Sequence, residues 1–162
     1  PEKLIFLTQT TLSVNETQKI IDVLKRRFPQ LIAPPKEDIC YATTNRQSAI
    51  EALAGKSDLV LVIGSQNSSN SQRLKDLAVE RGKKSYLIDS AKDLKEEWFI
   101  GIKNIGISAG ASAPEDLVQE LIKTIQNKYG VSSVEEVKTV DENVHFSLPK
   151  ILSEAIKQKA VV

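Results

Sequence analysis

The stretch Leu59-Val60-Leu61-Val62-Ile63-Gly64-Ser65 gives the strongest indication of the fold of this chain. Its first five residues are all apolar, without the alternation of a half-exposed strand, which predicts a parallel strand covered on both faces. A polar loop then runs from residue 64 to residue 71. Beyond it, apolar residues recur at helical spacing, and Gly82 is expected to end that helix. The stretch therefore predicts a strand, a loop and a helix in succession.

The same order recurs on the N-terminal side. Residues 4–7 are an apolar run that predicts a buried strand. Ser13 and Glu16 have the spacing of a capping box, so a helix is expected to begin there and to stop before Pro29. Residues 30–33 could form a second short strand.

A second capping box is predicted just after the only cysteine. Thr44 and Gln47 have the required spacing, which places the start of a helix at Thr44. Gly55 follows the last apolar residue of that pattern and is expected at the C-terminal cap.

Strand and helix also alternate on the C-terminal side. Residues 85–88 and 105–107 are expected strands, and residues 89–99 are expected to contain a helical turn or two. Ser112 and Glu115 form a third capping box, for a helix that ends near Gly130. Strands that alternate with helices throughout predict an α/β fold with a mainly parallel sheet.

Composition narrows the class of protein. The 162 residues suffice for one ordinary domain, and the 22 basic and 21 acidic residues leave a net charge of +1. That balance gives no reason to propose nucleic acid or a membrane surface as a partner. The sequence has neither an apolar run long enough to span a bilayer nor a signal-peptide pattern. A single cysteine argues against a disulfide framework and fits a reducing cytosol.

Three polar loops are candidates for ligand binding. Residues 8–11, 64–71 and 108–112 each lie between a strand and a helix, and such loops meet at the carboxyl edge of a parallel sheet. Hydroxyls, amides and helix N-termini at that edge suit a phosphate or diphosphate. The alternative is that these residues only cap helices. The loop at 64–71 holds more hydroxyl and amide groups than one helix start needs. No phosphate-binding lysine motif and no dinucleotide-binding glycine motif is present.

Cys40 has two interpretations. A thiolate close to a helix N-terminus is stabilised and becomes a good nucleophile or metal ligand. A lone cysteine can equally be a small buried apolar residue.

Five segments together resemble the 4-hydroxy-3-methylbut-2-enyl diphosphate reductase family. They are residues 8–13, 38–47, 64–71, 108–114 and, in the tail, 142–149. The resemblance covers nearly the whole chain but only the C-terminal half of the family pattern. It implies the parallel-sheet lobes of a three-lobed iron–sulfur reductase. Residues 1–37 would end the second lobe, residues 38–129 would form the complete third α/β lobe, and residues 130–162 would be a tail that packs back on the protein.

The resemblance also implies a reaction. The family removes the allylic hydroxyl of its substrate as water, giving isopentenyl and dimethylallyl diphosphates in the methylerythritol phosphate pathway of isoprenoid biosynthesis. It binds a 4Fe–4S cluster through three cysteines, and Cys40 would be the third-lobe ligand. A ferredoxin or flavodoxin would donate electrons, in the bacterial cytoplasm or a plastid.

Individual residues carry implied roles. Ser68, Ser69, Asn70 and Ser112 resemble the residues that bind the diphosphate, and Thr10 resembles the threonine that contacts the hydroxyl end and helps to deliver a proton. The other two cluster cysteines belong to a missing N-terminal half, so this chain alone is expected to be incompetent. Two further hypotheses remain: a non-catalytic phosphate-ligand-binding α/β module, and a thiol redox switch at Cys40.

Overall fold

The computed structural model describes residues 3–34, 38–140, 149 and 152. Four helices and five strands alternate within these residues, and two 3₁₀ turns, Ala91–Asp93 and Glu96–Phe99, follow the fourth strand. In chain order the elements are β1 (Leu4–Ile5), α1 (Val14–Arg27), β2 (Leu31–Ile32), α2 (Tyr41–Lys56), β3 (Leu59–Ile63), α3 (Ser69–Glu80), β4 (Lys84–Ile88), β5 (Ile105–Ala109) and α4 (Glu115–Tyr129).

The larger sheet has the order β4-β3-β5, and both pairings are parallel. All five residues of the central strand β3 are fully buried, as its unbroken apolar run predicts. Since successive side chains point to opposite faces, β3 contributes to two separate core clusters. Val60 and Val62 pack with residues of α2 and α3 on one face. Leu59, Leu61 and Ile63 pack with residues of α4 on the other. Burial of each such side chain stabilises the fold by about 1.5–3 kcal/mol.

The smaller sheet contains only β1 and β2, which are parallel. The strand predicted at residues 4–7 is shorter than expected and ends at Ile5. This part of the structure, together with α1, leaves apolar side chains unusually exposed, namely Ile5 (61%), Leu7 (77%), Ile20 (61%), Val23 (52%) and Ile32 (47%). No apolar residue of α1 is fully buried, and Val14, Ile21 and Leu24 are half-buried, so the apolar face of this helix is only partly covered within the described residues.

The first capping box is only half confirmed. Ser13 is the N-cap of α1, and its Oγ accepts a hydrogen bond from the backbone N–H of Glu16 at 3.2 Å. The Glu16 carboxylate lies instead 3.5 Å from the guanidinium of Arg73. The helix ends at Arg27, before Pro29 as predicted.

The other two capping boxes are wrong. Helix α2 begins at Tyr41 with Cys40 as its N-cap, so Thr44 already donates its backbone N–H to the Cys40 carbonyl, at 3.1 Å. Gly55 lies inside α2, which continues to Lys56. Helix α4 begins at Glu115 after an N-cap at Pro114, whose ring fixes a suitable φ, and Ser112 caps nothing.

The polar loop after β3 is shorter than the predicted residues 64–71. It ends at Ser68, so Ser69, Asn70 and Ser71 belong to the first turn of α3. Gly82 and Gly130 follow their helices with positive φ, as glycine C-caps do. Residues 131–140 form no helix or strand. Most of the predicted tail at residues 130–162 lies outside the described residues. No helix in the described ranges is long and apolar enough to cross a membrane.

Candidate functional site

Two of the three polar loops meet at the carboxyl edge of the larger sheet. Strands β3 and β5 are paired neighbours, and their last residues, Ile63 and Ala109, are partners in register. The loop at residues 64–68 (the Ser68 loop) and the loop at residues 110–114 (the Ser112 loop) therefore leave the sheet side by side. This confirms the expected common edge for these two loops.

Ser71 packs between the two loops. Its side chain is buried, and its hydroxyl donates to the hydroxyl of Ser68 at 3.1 Å. A β-carbon built on Gly64 or on Gly110 would overlap this hydroxyl, so both positions require glycine for close approach. Gly110 also donates its backbone N–H to the Ile63 carbonyl, at 2.8 Å.

The start of α3 carries the most favourable arrangement for an anion. Ser68 is the N-cap and accepts a hydrogen bond from the backbone N–H of Ser71 at 3.3 Å. Ser69 is exposed, whereas Asn70 is only 7% exposed. Neither the Nδ2 nor the Oδ1 atom of Asn70 has a hydrogen-bond partner among the described residues. The first turn of α3 contains no acidic residue, so nothing there opposes an anion.

The other helix starts are less suited to an anion than the sequence suggested. Glu115 and Asp116 occupy the first turn of α4, and Glu16 occupies the first turn of α1. These carboxylates already compensate the positive end of each helix dipole. Ser112 is exposed on its loop and forms no cap. Of the three loops, only the one that leads into α3 precedes a helix whose first turn lacks an acidic residue.

The Cys40 thiol lies at the N-terminus of α2 and is half-buried. Its Sγ is 3.2 Å from Oγ1 of Thr43. This side-chain hydrogen bond is the largest influence on the thiol and lowers the pKa of Cys40. Burial acts in the opposite direction, while the backbone N–H groups of Thr43 and Ala42 and the charge of Arg46 lower the pKa further. The environment therefore favours a thiolate, which is the form that binds metals.

The third polar loop, residues 8–13 (the Thr10 loop), follows β1 and so does not belong to the larger sheet. It nevertheless lies against the start of α2. The backbone N–H of Cys40 donates to the Thr10 carbonyl at 3.3 Å, and the Asp38 carboxylate accepts the backbone N–H of Thr8 at 2.8 Å. The structure thus brings Thr10 next to Cys40, although its side chain is exposed and the two are 30 residues apart in sequence.

Several residues to which the sequence analysis assigned no functional role hold these parts together. Gln47 binds the backbone of residues 12–14, Arg46 binds the carbonyl of Ala109, and Arg73 donates to Oγ of Ser13 at 2.9 Å. A polar residue at a buried helix position is the signal that could have found Gln47. It shares the inward face of α2 with Thr43, Ile50 and Ala54.

A cleft of about 470 Å³ separates the Thr10 loop from the start of α3. Gln9, Ser69 and Arg73 are among the residues that line it. Cys40 and Asn70 do not, so the cleft is adjacent to the predicted site and does not contain all of it. Within the described ranges no group of three or more cysteine, histidine or carboxylate side chains could hold a metal ion, and Cys40 stands as a single potential ligand.

Comparison with known proteins accounts for this combination of loops and thiol. The sequence model of the family described as LytB protein matches residues 1–126. The 4-hydroxy-3-methylbut-2-enyl diphosphate reductase of Serratia proteamaculans is 56% identical over 155 residues, which cover 96% of this chain and 49% of that protein. The reductase of the same name from Acinetobacter baylyi is 51% identical over 158 residues, covering 98% of this chain and 50% of that protein.

A solved structure agrees with the sequence matches. The E-1-hydroxy-2-methyl-but-2-enyl-4-diphosphate reductase from Plasmodium falciparum superposes with a TM-score of 0.87 at 33% identity, over 98% of this chain and 50% of that one. The chain spans about half the length of the curated relatives that it matches. Because the family model and these relatives cover most of its residues, the chain belongs to the LytB protein family.

Proposed function

We propose that the complete protein reduces 4-hydroxy-3-methylbut-2-enyl diphosphate to isopentenyl and dimethylallyl diphosphates. Relatives at 51% and 56% identity carry the name of that reductase. In this proposal residues 38–129 form the third lobe, residues 1–37 complete the second, and residues 130–162 form a tail. The activity belongs to the whole enzyme, because this chain matches half of each relative.

The observation that carries the proposal is the buried amide of Asn70. A buried polar group without a hydrogen bond costs about 1–3 kcal/mol, so native proteins rarely keep one without a reason. Both polar atoms of Asn70 lack a partner among the described residues. They lie in the first turn of a helix whose N-terminus favours an anion. A diphosphate oxygen at this point would accept a hydrogen bond from Nδ2 and so satisfy the donor end of the buried amide.

Serine hydroxyls extend the same diphosphate site. Ser68 and Ser69 begin α3, and Ser112 lies on the adjoining loop, which Ser71 holds against the Ser68 loop. Their hydroxyls and the backbone N–H groups at the start of α3 would bind the diphosphate oxygens. Thr10, on the loop that contacts Cys40, would orient the hydroxyl end of the substrate and help to deliver the proton that leaves with it as water.

Cys40 fits one position in the ligand set of a 4Fe–4S cluster. Thiolates are the usual ligands of such clusters, and the surroundings of Cys40 lower its pKa. When bound, the cluster supplies the two electrons that the dehydroxylation requires. Two further cysteines would come from the part of the enzyme that this chain does not match. The electrons would come from a ferredoxin or flavodoxin, and we place the reaction in the bacterial cytoplasm or a plastid.

Asn70→Ala in the complete enzyme tests the diphosphate site. Hydrogen bonds to charged groups contribute about 1.5–3 kcal/mol each, so the dissociation constant of the substrate should rise at least about tenfold. Iron content should not change, because Asn70 is not a cluster ligand. The matched control is Asn67→Ala, an exposed asparagine in the neighbouring Ser68 loop. Unaltered substrate affinity in Asn70→Ala would contradict the role. Phosphate binding without reductase activity in the complete protein would favour a non-catalytic binding module.

A further inference from the structure

The Thr10 loop and the Ser112 loop both carry substrate contacts in the proposed function. Helix α2 forms hydrogen bonds to the Thr10 loop and to the residue directly before the Ser112 loop. Cys40 stands at its N-terminus and binds the backbone of Thr10. Two helical turns further along, the adjacent residues Arg46 and Gln47 reach in different directions. Gln47 binds the Thr10 loop, and Arg46 binds the last residue before the Ser112 loop.

We propose that Gln47 and Arg46 are positioning residues, which fix the Thr10 loop and the Ser112 loop respectively at set distances from Cys40. This inference rests on the proposed function, since it assigns each loop a part in the reductase reaction. Neither side chain needs to touch the substrate in this role.

Gln47 is suited to hold a loop that has little support of its own. It is only 6% exposed, and both ends of its amide are used. Its Nε2 donates to the Leu12 carbonyl at 2.8 Å, and its Oε1 accepts the backbone N–H of Val14 at 3.1 Å. Between the end of β1 and the start of α1 the chain belongs to no strand or helix. These two bonds therefore set where the Thr10 loop enters α1.

The helix itself provides the fixed distance. Cys40 and Gln47 are seven residues apart on α2, which is about 10 Å along the helix axis. Thr43, which binds the Cys40 sulfur, lies between them on the same buried face. Because an α-helix is stiff over two turns, the thiol and the bound loop keep a constant spacing.

Arg46 performs the corresponding role on the other side. Its Nε donates to the Ala109 carbonyl at 2.9 Å, across 63 residues of sequence. Ala109 ends β5, and Gly110 begins the Ser112 loop directly after it. The guanidinium thereby connects the helix that carries the thiol to the point where that loop leaves the sheet.

The two roles predict different kinetic effects in the complete enzyme. A displacement of the Thr10 loop should act on the chemical step, whereas a displacement of the Ser112 loop should act on diphosphate binding. Small misplacements of reacting groups are known to change rates by up to about a hundredfold. Gln47→Leu should therefore lower kcat about tenfold with KM within twofold of the parent. Arg46→Met should raise KM about tenfold with the smaller effect on kcat.

A double-mutant cycle separates positioning from a general loss of structure. If Gln47 acts through Thr10, Gln47→Leu should lower kcat less than twofold once Thr10→Val is present. Likewise, Arg46→Met should raise KM less than twofold in a Ser112→Ala background. Gln119→Leu, an exposed glutamine on α4, is the matched control and should leave both constants unchanged. Equal effects of Gln47→Leu in both backgrounds, or unchanged kcat, would overturn the inference for Gln47, and equal effects of Arg46→Met would overturn it for Arg46.

Gln47→Glu separates an effect on activity from a failure to fold. It keeps the shape of the side chain and the acceptor for Val14 but removes the donor to the Leu12 carbonyl. It should lower kcat while the iron content remains that of the parent, and the loss of a buried hydrogen bond should lower the thermal melting temperature without preventing folding. If both Gln47 variants fail to fold, Gln47 serves folding and the inference is wrong. A parent protein that lacks reductase activity would instead contradict the proposed function itself.

Discussion

Among single residues, Thr43 has the main effect on the acidity of the Cys40 thiol, through a hydrogen bond between its hydroxyl and the sulfur. It is the largest influence that lowers the pKa of Cys40. Thr43→Val removes the hydroxyl with little change in volume, so the pKa of the thiol should rise toward its usual value. Alkylation of the 162-residue chain by iodoacetamide measures this directly, because the chain has a single thiol. The midpoint of the rate against pH should move upward in Thr43→Val.

Thr44→Val is the control for that measurement. Its hydroxyl donates to the Cys40 carbonyl at 3.4 Å and does not bind the sulfur. The pH midpoint of the alkylation rate in Thr44→Val should equal that of the parent chain. Equal midpoints for the parent and Thr43→Val would mean that the Thr43 hydroxyl does not lower the thiol pKa.

At the scale of elements, close packing around Ser71 holds the start of α3 against the ends of β3 and β5. A β-carbon on Gly110 would overlap the Ser71 hydroxyl. Gly110→Ala should therefore destabilise the chain by about 1–3 kcal/mol, the usual cost of overpacking. Urea unfolding followed by circular dichroism measures the change.

A second substitution tests whether the Ser71 hydroxyl causes the loss of stability in Gly110→Ala. In Ser71→Ala the hydroxyl is gone, and the Ser71 Cβ would lie 3.5 Å from the new carbon at Gly110 but 2.8 Å from one at Gly64. Ser71→Ala should therefore relieve Gly110→Ala but not Gly64→Ala. Gly55→Ala is the control: it lies within α2 with open space around it, and it should stabilise the chain by about 0.5–1 kcal/mol. Destabilisation of the same size in Gly55→Ala would argue against a packing cause.

The helix starts differ in how well the sequence predicted them. Ser13 is a true N-cap because its own backbone is extended and its hydroxyl accepts the free N–H of Glu16. Thr44 has the same local pattern, but the turn from Cys40 already satisfies its backbone. Ser112 has the pattern too, yet Pro114 sets the start of α4. A capping box is a local signal, and neighbouring residues decide whether it is used.

At the scale of the whole molecule, one cysteine cannot supply the ligands of a 4Fe–4S cluster. We therefore expect anaerobic reconstitution of the 162-residue chain to give less than one cluster per chain, measured by iron and sulfide analysis. The complete enzyme should reach one. Cys40→Ser in the complete enzyme should reduce iron content. A full, reducible cluster on this chain alone would contradict both the ligand count and the role of the missing cysteines.

Half of the large apolar side chains that are exposed among the described residues lie within the first 32 residues. Ile5 and Ile32 on the smaller sheet, Leu7 beyond it, and Ile20 and Val23 on α1 all lie in the first 32 residues. Soluble proteins rarely leave such a group of large apolar residues uncovered. We expect the half of the enzyme that this chain does not match to cover them.

The sequence by itself determined the α/β class, the buried strand β3, the ends of most helices and the family. These follow from hydrophobic period, glycine positions and motif order, all of which are local or read in sequence. It also named Cys40, Ser68, Asn70 and Thr10 as candidates, which stay predictions. Only the tertiary structure placed Thr10 beside Cys40, left the Asn70 amide without a partner and joined the loops through Arg46, Gln47 and Ser71. Those contacts join residues up to 63 positions apart. The spacing of residues along one sequence does not show which remote residues meet in the folded chain.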